Sequence, residues 1–330
     1  MINIIFFERI FNTNTISIEK LFNTIYDELR NKGLFIEVIK NPYPLKYFWK
    51  SIFFFKKREG GDITHITGDI HWISIFLNPK KTILTIHDLV GLESLSGLKR
   101  IFYYLFWIYL PLKRLKYITV ISEKIKEDIL RLLPSVSKKI NVIPNCVTIP
   151  INVVNRNYRV NKILFVGTRS NKNIEISLKA LEKFNFEITI VGKLSLEQSK
   201  IINDLELKVT NKENISEEEL IYLYDTHDVL CFTSVYEGFG LPILEAQARG
   251  CAVITSNLSP MKDVLGYGGV LINPYDQKDI EFALEKYQTD ISFYNKCILE
   301  GYKNVSNYTV DNIAEQYINL YEKILKNGFN

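Results

Sequence analysis

The chain has 330 residues, enough for two domains of about 150 residues, each with its own core. With 47% hydrophobic and 24% charged residues it is composed like an ordinary globular protein, and a net charge of +4 gives no call for a nucleic-acid partner. The opening MINIIFFERIF has neither a basic leader nor a small-residue cleavage site, no apolar run reaches the ~18 residues of a membrane span, and the four cysteines form no ligand spacing, so a reducing cytosol is expected.

Apolar runs alternate with longer helical patterns, which predicts parallel sheets with crossover helices. Strands are predicted at 3–7, 34–39, 63–66, 82–86, 117–121 and 140–143. Helices are predicted at 18–31, ending at Gly33, and at 122–133, ending before Pro134. The irregular polar stretch 146–161 is a candidate linker. The pattern restarts with KILFVG at 162–167, a helix to Phe184, and strands at 187–191 and 208–210. Ser216 and Glu219 predict a capping box for a helix ending near Tyr224. Strands at 229–232, near Cys251–Ile254, and at 270–272 follow, then a helix capped by Asp276 with Asp279 and a tail helix at about 311–326. His227, just before a buried strand, is expected to be structural, and Cys231 and Cys251 to be small core residues. The domain division is 1–150, 151–310 and a terminal helical segment 311–330.

The most informative stretch is SVYEGFGLPILE at 234–245. It joins a strand to a helix through a turn in which Gly238 and Gly240 allow geometry closed to other residues, and Pro242 suits the helix's first turn. Free amides and the positive dipole end would face a phosphate-linked ligand, with Glu245 one turn in, placed to hold a hydroxyl pair such as a ribose diol. With the strand that follows, EGFGLPILEAQARGCAVITSN resembles the Glu-x7-Glu signature of family 4 retaining glycosyltransferases. The resemblance spans most of residues 60–290. It implies the α/β GT-B fold: two Rossmann-like, doubly wound domains facing across a cleft, with a C-terminal helix crossing back to the first.

Site roles follow from the resemblance. Glu237 and His87 would be the catalytic residues: Glu237 at the donor sugar, and His87, in ILTIHDL at a strand's carboxyl end, near donor and acceptor hydroxyl. The donor would be held by Gly167, Thr168, Arg169 and Lys172 of the loop GTRSNKN, with Gly238, Phe239, Gly240, Leu241 and Glu245. Gly68, Asp69 and Asp88 would line the acceptor side. Departing diphosphate needs cationic or amide partners, and the absence of any Asp-x-Asp pair favours a metal-independent reaction with no cofactor beyond the nucleotide-diphosphate sugar. The loop FERIFNTNTIS lacks the glycines many relatives carry there, Cys146 stands where glycine is common, and Met261–Lys262–Asp263 replaces a Pro-Glu pair.

YFWKSIFFFKKR at 47–58 and LKRIFYYLFWIYLPLKRLKY at 98–117 mix aromatics with bases. Each reads either as a buried helix with basic ends or as a surface helix at headgroup level on the inner face of the plasma membrane. The expected function is transfer of a hexose from a nucleotide sugar to a sugar or lipid-linked acceptor in bacterial surface polysaccharide (lipopolysaccharide O-antigen) synthesis. The rivals are a GT-B sugar-nucleotide epimerase and a non-catalytic nucleotide-sugar-binding scaffold.

Overall fold

A computed structural model of the chain describes residues 2–9, 17–153 and 160–328. The chain forms two compact units, one of Met1–Cys146 with Val310–Asn330, the other of Val147–Thr309.

The first unit is a parallel sheet of β1 (Asn3–Glu8), β2 (Phe35–Lys40), β3 (Ile63–Ile66), β4 (Thr82–Ile86), β5 (Tyr117–Val120) and β6 (Ile140–Val142), in the order β2-β1-β3-β4-β5-β6. β3 and β4 are buried at every position, as strands covered on both faces must be, which is why ITHI and TILTI read as unbroken runs. The strand order reverses at β1. A parallel doubly wound sheet opens a crevice at that point, at its carboxyl edge.

The tail is one helix, Val310–Gly328, and belongs to this first unit. Its Ile313, Tyr317, Leu320, Tyr321 and Ile324 share a core with Phe22, Ile25, Tyr26 and Leu29 of the helix Ser17–Asn31. Each such buried side chain contributes about 1.5–3 kcal/mol. His65 lies inside β3. Its ring bridges Tyr321 Oη at 2.9 Å and Thr85 Oγ1 at 2.7 Å, so it ties the tail helix to the sheet. Burial pushes its pKa down to about 3.

The second unit has β7 (Lys162–Val166), β8 (Glu187–Val191), β9 (Val209–Lys212), β10 (Val229–Phe232), β11 (Ala252–Ser256) and β12 (Val270–Ile272). The order β12-β11-β10-β7-β8-β9, all parallel, reverses between β7 and β10. Both units therefore have the α/β doubly wound architecture expected from sequence.

Some local expectations change. The Ser216 hydroxyl accepts the Glu219 amide, but the Glu219 carboxylate pairs with Lys212 at 2.5 Å, so only half the capping box forms. The complete box is at Ser195–Gln198, before the helix Leu196–Asp204. The candidate linker starts out buried at Cys146, Val147 and Ile149, with the Val147 amide on the Tyr308 carbonyl; its residues 154–159 lie outside the described residues. Residues 10–16 of FERIFNTNTIS lie outside them too. Residues 97–114 form a helical run interrupted by a π segment, Tyr104–Tyr109. Pro111 has no N–H for the Trp107 carbonyl four residues back, and that carbonyl accepts the His71 Nδ1 proton at 3.0 Å instead.

Candidate active site

Each unit gathers polar side chains at its own switch point. In the second unit these are the loops after β7 and β10. Gly167 turns the chain at φ +92°, and a Cβ there would sit 2.8 Å from Lys172 Cε, so the glycine lets the lysine stem lie flat against the turn. Thr168 fastens the turn from behind, its hydroxyl on the Lys193 carbonyl at 2.7 Å and its carbonyl accepting from Gln198 Nε2 at 2.9 Å. The turn closes with Asn173 in the left-handed region, its amide side chain on the Pro274 carbonyl.

Lys172 Nζ meets Glu237 Oε1 at 2.6 Å, each side chain about one-sixth exposed, and lies 4.4 Å from the centre of the Phe232 ring. Asn171 braces the same carboxylate: its Nδ2 donates to Glu237 Oε1 at 3.2 Å and to the Tyr236 carbonyl at 2.9 Å. The structure thus joins Glu237 and Lys172, residues 65 apart in sequence. Glu237 is therefore not a freely exposed loop carboxylate. Arg169 stays exposed, and its guanidinium has no hydrogen bond or ion pair among the described residues.

Gly240, at φ +103°, starts the helix Leu241–Ala248 with Pro242 in its first turn. Gly238 is half-buried just before it. The Phe239 side chain turns inward, nearly buried, with its ring edge-on to Tyr308 at 6.1 Å. Only its backbone can serve a ligand. Leu241 is half-buried at the helix start, while Ile243, Leu244, Ala246 and Ala248 hold the helix to the core. Glu245 accepts a 2.8 Å bond from Tyr224 Oη. Burial, and then the neighbouring Glu245 charge, raise the Tyr224 pKa, so the phenol remains a donor. Arg249 locks the helix end with two 2.6 Å bonds to Asp225 and one to the Pro150 carbonyl.

In the first unit a cavity of about 130 Å³ is lined by Arg9, Asp69, His71, His87, Asp88 and Tyr103, with Ile18 and Gly91. His87 is half-buried. Its Nε2 can only donate to the Thr67 carbonyl at 3.0 Å, which leaves Nδ1 as a neutral acceptor. Burial, opposed by that bond, lowers its pKa to about 4. Gly68 sits so close to Arg9 that a Cβ would lie 3.0 Å from the Arg9 amide. Asp69 reaches solvent, yet the protein atoms crowding it raise its carboxyl pKa. Asp88 is exposed and caps the next turn through the Val90 amide at 3.0 Å. Arg9 is held by Glu19 at 2.6 Å, which raises the guanidinium pKa.

Asn171, Tyr224, Arg9 and Tyr103 escape the sequence reading as site residues. Asn171 and Arg9 lie inside loops the sequence had marked, GTRSNKN and FERIFNTNTIS, while Tyr224 and Tyr103 carry no local sign of the site they serve. His227 is structural as expected, its ring between the Leu223 carbonyl and Thr189 Oγ1. All four cysteines are free and buried, and burial raises the Cys231 thiol to about 12. Among the described residues no helix is long and apolar enough to cross a membrane.

Two family models match. "Glycosyltransferase Family 4" covers residues 23–149 and "Glycosyl transferases group 1" covers residues 151–304. The chain is 29% identical over 243 residues to the O-antigen chain mannosyltransferase RfbU of Salmonella typhimurium, covering 70% of this chain and 67% of that protein. It is 32% identical over 114 residues to the serotype-specific mannosyltransferase WbdA of Escherichia coli, covering 34% of this chain but 14% of that one. Among solved structures, Anabaena Alr3699/HepE in complex with UDP and glucose superposes with a TM-score of 0.75 at 14% identity, over 98% of this chain and 100% of the other. That likeness is one of fold.

Proposed function

The chain belongs to glycosyltransferase family 4, with the GT-B fold, and on that premise we propose that it is a retaining, metal-independent hexosyltransferase of bacterial surface-polysaccharide synthesis. The observation that carries this reading is the cluster of Lys172, Asn171 and Glu237 at the β7/β10 switch point, beside a helix N-terminus. The donor is a nucleotide-diphosphate hexose. Its diphosphate takes the amides of residues 238–240 and the cations Lys172 and Arg169. Its ribose diol takes Glu245, held in place by Tyr224. The hexose lies at Glu237, whose carboxylate bonds a sugar hydroxyl and favours positive charge developing at the anomeric carbon.

The bond from the anomeric carbon to the diphosphate oxygen breaks. The acceptor oxygen bonds the same carbon from the same face, and its proton passes to the departing phosphate. The first-unit cavity takes the acceptor, with Gly68 leaving room for the cavity-lining Arg9, with Asp69 and Asp88 at its edge and His87 Nδ1 accepting from a sugar hydroxyl. Lysine, arginine and amides here do the work a metal ion does elsewhere. The names of RfbU and WbdA make a mannose donor the first to test.

The experiment is transfer by purified protein from a panel of sugar nucleotides, in EDTA, with the product's anomeric configuration read by NMR. Retained configuration and undiminished rate are expected. An inverted product, or activity restored only by a divalent ion, overturns the reading.

A further inference from the structure

An apolar groove of about 320 Å³ opens in the first unit, lined by Leu45, Phe48, Trp72, Phe76, Phe102, Phe106 and Trp107. It unites the two aromatic stretches of the sequence, the helix Phe48–Lys56 and the run 97–114. The groove backs directly onto the polar cavity. His71 lines the cavity while Trp72 lines the groove; Tyr103 lines the cavity while Phe102 and Phe106 line the groove. Tyr103 stacks on Trp107 at 5.3 Å, so one aromatic wall separates an apolar hollow from a sugar-sized polar one.

Two features identify the occupant. The indole N–H of Trp72 is buried with no hydrogen-bond partner among the described residues, a cost no purely hydrocarbon filling would relieve, whereas that of Trp107 is turned to the Asp69 carboxylate of the polar cavity. The groove's two segments carry bases and no acids: Lys46 and Lys50 stand 5.0 Å over the Tyr47 ring, and Lys99 and Arg100 precede Phe102. An anionic, oxygen-bearing junction suits both features.

We propose that the groove holds the hydrocarbon chain of a phosphate-linked lipid acceptor, with its phosphate oxygens near the Trp72 indole and the bases and its sugar in the neighbouring cavity. This rests on the transferase reading and gives that acceptor's class.

All three tryptophans of the chain lie here, so the test is built in. Trp49→Phe removes the exposed reporter and leaves Trp72 and Trp107. Dodecyl phosphate below its micelle concentration should shift their emission to the blue and saturate; inorganic phosphate should not. Phe48 and Phe102 are more than half exposed, so the double variant F48A/F102A should fold. It should weaken binding at least tenfold, while L196A, an exposed site of the second unit, leaves it unchanged. Silence toward dodecyl phosphate, a response only to phosphatidylglycerol vesicles, or binding that survives F48A/F102A overturns the proposal. A response only to vesicles would make this face a bilayer-docking surface instead. Neither donor nor turnover enters the assay, so its failure leaves the transferase reading standing. Lost transfer with intact binding would count against that reading alone.

Discussion

The two switch points are built from opposite materials. The second unit's is charged and braced: a 2.6 Å ion pair, an amide holding the carboxylate, and a tyrosine holding the second glutamate. The first unit's is a small cavity in which the neutral His87 imidazole and one fixed arginine sit with Asp69 and Asp88, backed by aromatic rings. Charge set in rigid loops suits an anionic donor whose leaving group must be stabilised. Hydroxyl-accepting side chains and an aromatic wall suit a sugar carried on something less polar.

The sharpest way to break this contrast is Glu237→Gln. It keeps the shape but removes the charge beside Lys172, and transfer should fall about 10²–10³-fold, with little change in melting temperature. Alanine is the poorer test because it leaves a mostly buried lysine unpaired. A tenfold effect or less on kcat would make the carboxylate a brace for Lys172 rather than a participant.

Next comes Tyr224→Phe, which removes one hydrogen bond to Glu245. Donor KM should rise about tenfold with kcat nearly unchanged, in line with about 1.5 kcal/mol, the low end for a hydrogen bond to a charged group. A fall in kcat instead would show that Glu245 acts in the chemistry.

The first unit should also be the more acid-sensitive. His65 and His87 titrate near 3 and 4 in the folded state but near 6.5 when unfolded. Below pH 6.5 the unfolded chain therefore takes up protons first. Their contribution, complete above pH 6.5, drains away as pH falls through the folded values. For fully buried His65 the slope is on the order of 1 kcal/mol per pH unit. Urea unfolding at pH 7.5 and pH 5 should show the loss, and H65Q should flatten it.

The smallest effect expected is that of Ser216→Ala, which loses a half-formed cap. Stability should drop by about 1 kcal/mol and transfer should not change, as thermal melts and initial rates would show.

The contrast also explains what could be read beforehand. The strands were legible because runs buried on both faces are apolar throughout, and 63–66, 82–86, 187–191, 229–232 and 270–272 match residue for residue. The glutamate pair and the lysine loop were legible because turns, helix starts and charges leave local marks. The bracing was not. Nothing near Tyr224 points to Glu245, and Asn171 differs from any loop asparagine only in the carbonyl and carboxylate that the fold brings to it. Nor was the role of His65 legible, because a histidine in an apolar strand looks the same whether it faces a ligand or a tail helix 256 residues away. The back-to-back cavity and groove depend on which side of two helical segments each aromatic faces, and an aromatic-rich run with a proline-disturbed helix gives no clear period for that.

The central claim is that nucleotide diphosphate binds at the β7/β10 edge. Calorimetric titration of GDP and UDP into the wild type, K172M and E245Q tests it most directly. One nucleotide should bind the wild type and lose at least tenfold in affinity in each variant, with both variants melting like the parent. Binding that is unchanged in both would contradict the account.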